Sequence, residues 1–513
     1  MKDTNEEMKQ IEMLGSSNIV ASNNIPYALI SAEIEGDATN ILAELTQIER
    51  YYKIYNKGAD FVTEGSNGCY VPATLRYKMS ASLINKEVRF LFGETPDITI
   101  DAKGDSGIIS ESTREELTNV QSLIKEVLDK NMFEDILIKG AKDCFIGKRV
   151  ACLVNFNEDD GITLSFLPST QFIYETKSTN PNKLIKFVCF QNINNELSSK
   201  EKRIFKKKYT LENEKVYLEE GLYDGTGMLV ETLTAKTSIE LENIPAVVFI
   251  NDGLSGETRG ESEIDILSEY EKWYSKLSNA DIDAERKSMN PTKFTVDMDS
   301  NSTKDLSSAA GSFWDLGSDQ NLENGKPQVG LLEPQMHYSE SLKTSLDRIK
   351  TTGYEQIDMP NVTLETLQGA ITSGKSLKAI YWPLIVRCKE KMKMWGPKLR
   401  TVIDIIIEGA LAYPNCAKEY IDIGIVPVSY EVSVTQNLPL PEDEMEEKEV
   451  DITEVEAKVM SRKTYMQKWH KLTDEEVEDE LKQIAYERSI IDDASFMPSN
   501  TGLDDNDIPY PEA

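Results

Sequence analysis

Eight consecutive residues, Gly369-Ala-Ile-Thr-Ser-Gly374-Lys375-Ser376, carry the most explicit chemical signature in the chain. They satisfy G-x-x-x-x-G-K-[ST], the loop in which glycine-flanked backbone N–H groups wrap a nucleotide's phosphates and a lysine adds a point charge. That chemistry needs a buried strand before the loop and a helix after it. The helix is present in outline, because Leu377, Ile380, Leu384, Cys388 and Trp395 recur at helical spacing. The strand is not. Residues 358–368 hold a Pro360-Asn361 turn signal and no apolar run of the kind a buried parallel strand needs. A magnesium-binding acid at a strand end is also missing. Asp404, in Val402-Ile-Asp-Ile-Ile-Ile407, sits inside an apolar stretch that continues as a helix. The match is therefore expected to be accidental and the protein not an enzyme. The alternative, a nucleotide hydrolase built on Gly369–Ser376, requires ATP binding that Lys375→Ala abolishes.

Other chemistries find few residues. His337 and His470 are the two histidines, too few and too far apart for a zinc site or a histidine-based triad. The six cysteines are scattered without a C-x-x-C pair and nothing resembles a secretory start, so reduced thiols are expected. No cofactor or metal is expected. No apolar run approaches the ~18 residues that a membrane helix needs, so no membrane partner is expected.

The chain has 513 residues and a net charge of −32. A surface so acidic argues against gripping DNA over its whole face, since phosphate contacts need Lys and Arg. It is compatible with a protein that DNA passes without sticking. The charge is uneven. Residues 442–513 hold 22 acids and 8 basic residues, a net of −14. From Ser373 to Arg400 the sign reverses: Lys375, Lys378, Arg387, Lys389, Lys391, Lys393, Lys398 and Arg400 face Glu390 alone. Such a run is either a solvated helix face or a basic zone beside a polyanion or an acidic neighbour.

Periodicity supplies the elements that would position these groups. A helix capped by Asp37 or Thr39 is expected to run to about Lys57, with further helices over 112–130 and 133–147 and a strand over Asp97–Asp101. The period then becomes two, giving strands over Val150–Phe156, Ile162–Leu167, Leu184–Phe190, Arg203–Thr210, Lys215–Glu219 and Ala246–Ile250. This order describes an α+β body rather than alternating βα units. A helix over Glu261–Met289, ~40 Å long, ends at Asn290-Pro291, and a second opens at Pro334 and runs to about Ile357. Between them lies loop-rich material with apolar pieces at Phe294–Val296, Phe313–Leu316 and Val329–Leu332. The basic helix after Ser376 should be kinked or interrupted at Pro383 and Gly396-Pro397. Alternating Tyr420–Val434 is expected as a strand that could rejoin the body. An acidic helical module closes the chain, with Tyr465 and Trp469 placed to pack its helices, and a disordered tail is expected beyond about Asp492.

Four segments in this order resemble the portal proteins of tailed double-stranded DNA bacteriophages, of the Gram-positive siphophage-like group. They are Tyr51-Tyr-Lys-Ile-Tyr-Asn56 with Val71-Pro-Ala-Thr-Leu-Arg76; Leu83-Ile-Asn-Lys-Glu-Val-Arg-Phe-Leu-Phe-Gly93; Asp358-Met-Pro360 with Thr372-Ser-Gly-Lys-Ser-Leu-Lys378; and Met460-Ser-Arg-Lys-Thr-Tyr465 followed by Asp474–Glu480. Lys375 stands where such proteins often have a small residue after Ser-Gly, and it creates the nucleotide-loop match.

The resemblance implies a subunit of a ring, usually of twelve, at one capsid vertex, through which double-stranded DNA is packaged and ejected. It implies an N-terminal region and wing (1–260), a stem helix (261–290), a clip (291–334), a second stem helix (335–357), a tunnel loop (358–374), a tunnel helix returning to the wing (375–440), a crown (441–492) and an acidic tail (493–513). Asn361, Thr363, Gln368, Thr372, Lys375 and Lys378 would be channel candidates, although the two lysines fit an ordinary first helical turn or an inter-subunit ion pair equally well. Phe313, Trp314 and Asp315 would be clip candidates for partner binding, with burial in the clip the competing role for the aromatics. Implied partners are further copies of the chain, passing DNA, the terminase large subunit, a head-completion adaptor, and the major capsid and scaffolding proteins. The implied location is the virion, with the host cytoplasm during assembly. An acidic assembly scaffold without a channel is the second alternative.

Overall fold

A computed structural model describes residues 25–34, 38–62, 71–102, 111–193, 202–254, 259–289, 292–299, 317–319, 326–332, 337–362, 378–417, 430–439, 444–470 and 474–495. These fall into two compact units, the larger holding the chain up to residue 362 together with 380–439, the smaller containing 444–495.

The larger unit is α+β, as the sequence predicts. It opens with α1 (Tyr27–Ser31), α2 (Thr39–Lys57), α3 (Met79–Phe92), β1 (Asp97–Ala102), α4 (Glu111–Lys130) and α5 (Phe133–Gly147). Strands β2 (Arg149–Asn157), β3 (Gly161–Pro168), β4 (Phe172–Lys177), β5 (Asn180–Asn192), β6 (Arg203–Glu212), β7 (Lys215–Asp224), β8 (Leu229–Ser238) and β9 (Ala246–Ile250) follow. They form a three-stranded sheet ordered β3-β2-β9 and a five-stranded antiparallel sheet ordered β4-β5-β6-β7-β8. Alternation along β5 explains their layering. Phe187 and Cys189 pack with Ala151, Leu153, Ala246 and Val248 of the smaller sheet. Val188 and Phe190 point the other way, onto Leu29, Ile30 and Leu42 of α1 and α2. The centre of β5 is thus buried on both faces.

α5 lies against β2 and β3. Gly140 permits this approach, because a Cβ there would stand 2.5 Å from the Phe166 ring. Cys144, Cys152, Cys189, Cys388 and Cys416 are all free and buried, and burial pushes the Cys152 and Cys388 thiols up to about 12. Reduced, unreactive sulfur is what that environment favours.

α6 (Glu263–Met289) and α7 (Ser339–Glu355) pack on each other and bracket a hairpin of β10 (Thr292–Val296) and β11 (Gln328–Leu332), with Thr292 opposite Leu332 and Val296 opposite Gln328. α8 (Trp382–Ala412) then runs for 31 residues. The expected interruption is present at Pro383, where residues 378–380 are helical and Tyr381 forms a turn before α8 begins, and absent at Pro397. Pro383 lies in the first turn, where a missing N–H costs nothing, and the helix continues through Pro397. Trp395 beside it is buried against Phe92 and Phe249, with ring centroids at 5.0 and 4.5 Å. That packing holds the helix across the proline. After the single-turn α9 (Pro414–Ala417), β12 (Tyr430–Thr435) returns to pair antiparallel with β1, Asp97 opposite Thr435. The return strand expected over Tyr420–Val434 is present from Tyr430, and residues 420–429 lie outside the described residues.

The smaller unit consists of α10 (Glu444–Glu456), α11 (Arg462–His470) and α12 (Asp474–Ser495). Trp469 Nε1 donates to Asp451 Oδ2 at 2.6 Å, joining α11 to α10 as expected of that residue, while the Tyr465 ring lies edge-on to His470.

Candidate functional site

The segment entering the candidate channel region leaves α7 through a well-defined stop. The Met359 N–H donates to the Tyr354 carbonyl at 2.9 Å, and the Asp358 N–H to the Glu355 carbonyl at 3.1 Å. These are the paired bonds of a Schellman helix end. Asp358 occupies its left-handed position with φ 52°, a conformation that Asp tolerates better than most side chains. Ile357 and Met359 are buried, which fixes the exit, and Pro360 prevents the helix from resuming.

Beside this exit lies a buried ion-pair node built from three distant parts of the chain. Arg387 of α8 donates from Nε to Glu87 Oε1 at 2.8 Å and from Nη2 to both Glu263 oxygens at 2.8 Å. One helical turn on, Lys391 Nζ donates to Glu263 Oε1 at 2.6 Å and Asn251 Oδ1 at 2.8 Å, with Glu87 Oε1 at 3.3 Å. The same ammonium group stands 3.7 Å from the Phe145 ring centroid. Glu87, Glu263, Asn251 and Lys391 are all buried. At the rim, Asp358 Oδ2 approaches Arg387 Nη1 at 3.8 Å.

Two carboxylates and two cations make the buried part of the node neutral, which is what allows charge to persist without water. Its two acids are not equivalent. Burial alone would raise the Glu263 carboxyl, but Lys391 and Arg387 outweigh it and hold it down to about 2. Burial dominates at Glu87 and pushes its carboxyl up despite the same cations; its Oε2 has no hydrogen-bond partner among the described residues. The cations are both pushed up, burial opposing and the two glutamates prevailing. Two of the eight basic residues in the run 373–400 therefore answer to acidic neighbours within the chain, while Lys389, Lys393 and Arg400 are exposed.

A second polar device fixes α6. Its side chains at four-residue spacing hold the segment 71–78 and the start of α3. Ser80 N–H and Ala59 N–H donate to Glu271 at 2.7 and 2.8 Å, and Tyr77 N–H to Ser275 Oγ at 3.2 Å. Leu75 N–H donates to Asn279 Oδ1 at 2.8 Å, while Asn279 Nδ2 donates to the Leu75 carbonyl at 2.6 Å. Ala73 N–H donates to Asp283 Oδ1 at 2.9 Å. The match is geometric: two extended residues advance about 6.6 Å and four helical residues about 6.0 Å. The spacing of Glu271, Ser275, Asn279 and Asp283 was available in the sequence, although an apolar-stripe reading of this helix passes over it.

Of the sequence-derived channel candidates, Asn361 and Lys378 are exposed. Thr363, Gln368, Thr372 and Lys375, the octapeptide Gly369–Ser376, and the clip candidates Phe313, Trp314 and Asp315 lie outside the described residues. Asp404 lies within α8, on helix rather than at a strand end. Among the described residues no group of His, Cys, Asp and Glu is placed to hold a metal ion, and no helix is long and apolar enough to cross a membrane.

No individually curated protein matches the chain. The family described as "Phage portal protein, SPP1 Gp6-like" matches residues 32–492. That span takes in both sheets, the α6–hairpin–α7 excursion, the ion-pair node and most of the smaller unit. The chain belongs to this phage portal protein family.

Proposed function

We propose that the chain is the subunit of a twelve-membered ring at one capsid vertex, through which double-stranded DNA is packaged and later ejected. The observation that carries this reading is family membership over residues 32–492. The fold supports it in one particular. Two long helices bracket a small hairpin, and the second ends at Asp358–Pro360 beside the buried ion-pair node.

In this reading α6 and α7 form the stem, 291–334 the clip, 358–374 the tunnel loop, the body around the two sheets the wing and α10–α12 the crown. The clip, through Phe313, Trp314 and Asp315, docks the terminase and then the head-completion adaptor. Major capsid and scaffolding proteins surround the wing in the virion and in the assembling particle in the host cytoplasm. Asn361, Thr363, Gln368, Thr372, Lys375 and Lys378 face the DNA. A conduit for a polyanion should hold it weakly, because every phosphate contact must be broken at each step. A subunit of charge −32 repeated round a ring disfavours adhesion, and a few lysines at the loop supply a salt-sensitive grip.

Negative-stain imaging with mass photometry of the purified chain tests the proposal. An annular oligomer of about a dozen copies is expected, and a monomer at assembly concentration refutes it. In assembled particles, Lys375→Glu with Lys378→Glu should lower DNA packaging while leaving the ring intact; unchanged packaging removes the role given to these lysines.

A further inference from the structure

We infer that two surfaces of the larger unit, the exposed face of α8 and the groove bounded by β1, α4 and α5, are the two halves of the contact between neighbouring copies. This rests on the ring reading above and names the surfaces that would close the ring.

α8 buries Leu384, Cys388, Lys391 and Trp395 on one side. On the other it presents Trp382, Val386, Lys389, Lys393 and Arg400, spaced by four, three, four and seven residues and so aligned as one stripe. Trp382 is 59% exposed and Val386 37%. Passing DNA would use the cations of this stripe but not a tryptophan and a valine, since non-specific contacts go to phosphate and sugar. An aromatic anchor beside an aliphatic residue, rimmed by charge, has the composition of a protein–protein contact.

The complementary surface is a groove of about 820 Å³. Its floor is apolar, with Leu128 and Ile138 among the lining residues, and Met132 at its edge is 69% exposed. Its rim carries Asp97, Asp129 and Glu134 against Lys125. Basic-apolar stripe and acidic-apolar groove thus match in both charge and apolar content. A two-fold contact of stripe on stripe would bring like charges together, so the stripe needs a different surface as its partner. In the ring proposed above, two different, complementary surfaces on one chain pair head to tail, the kind of contact that closes rings by rotation.

The test uses the full chain and two charge-reversed variants, Lys389→Glu/Lys393→Glu and Asp129→Lys/Glu134→Lys. All these side chains are exposed. Each variant alone should raise the half-assembly concentration at least about tenfold, a loss within reach of a few interfacial residues, with an unchanged melting temperature. Mixed in equal amounts, the two should recover wild-type assembly, because each carries the face that complements the other's altered one. Trp382→Ala, which changes no charge, should weaken assembly in the same direction and guards against loss of folding in the reversed variants. The inference is overturned if both variants assemble like wild type, or if the mixture of two normally melting variants stays dissociated. It is equally overturned if Lys389→Glu/Lys393→Glu forms normal rings but loses DNA retention, which would place the stripe against DNA. A wild-type chain that forms no ring refutes the ring reading itself.

Discussion

Lys391→Met removes one charge from a node that water does not reach, while methionine keeps most of the side-chain length against Phe145. The lysine serves Glu263 at 2.6 Å, Asn251 at 2.8 Å and Glu87 at 3.3 Å. Arg387 still holds Glu263 through two bonds of 2.8 Å, so the burden of the lost charge falls on Glu87. Breaking a buried pair from one side costs about 3–5 kcal/mol, and urea unfolding at pH 8, with oligomeric state held fixed, should show a loss of that size. The deficit should depend on pH. The Glu87 carboxyl is already raised by burial, and removing Lys391 raises it further. A carboxyl whose folded pKa lies above its unfolded value contributes most below the unfolded value, near 4.5, and loses that contribution as pH rises through the folded value. The variant should therefore recover part of its stability on going from pH 8 towards pH 5. Adding Glu87→Gln removes one charge of each sign and should also narrow the deficit. A loss below about 1 kcal/mol at pH 8, or a deficit that neither acidification nor Glu87→Gln reduces, would refute the account of the node as a charge-balanced unit.

Two further expectations concern the same framework. Asn279→Ala removes both bonds to Leu75 and should cost about 1–3 kcal/mol; limited proteolysis should then cut near residues 71–77 faster than in wild type, and an unchanged cleavage pattern would show that the polar ladder does not hold this segment. Burial pushes the Asp143 carboxyl up to about 6, the hydrogen bond from Tyr52 opposing it. Wild type should thus gain up to about 3 kcal/mol as pH falls through 6 towards 3.8, and Asp143→Asn should remove that pH dependence; equal slopes for the two proteins in pH-dependent melts would count against it.

Legibility followed the range of the interactions. β5 and β6 announced themselves by alternation, because each strand packs its two faces against different layers. β8 did not, since it is an edge strand exposed almost throughout and no burial pattern shapes its residues. β4, with Phe172 and Ile173 buried in succession, also gave no alternation to follow. Pro397 suggested a break that packing around Trp395 overrides, a case of tertiary contacts prevailing over local preference. The basic run 373–400 was plain in the sequence, but its meaning was divided there between solvent, polyanion and acidic neighbour.

The sequence by itself determined the class of body, the two long helices around a short excursion, the missing strand that argues against a nucleotide loop, and the order of segments that places the chain among portal proteins. Those features are local: periodicity, turn residues and motif order are written in neighbouring positions. Only the tertiary structure decided which charges of α8 face inward. Glu87 and Glu263 lie 300 and 124 residues from Arg387 in the chain, and no local pattern links them. Their pairing exists because folding brings three helices together around a space too dry to leave a charge unmatched.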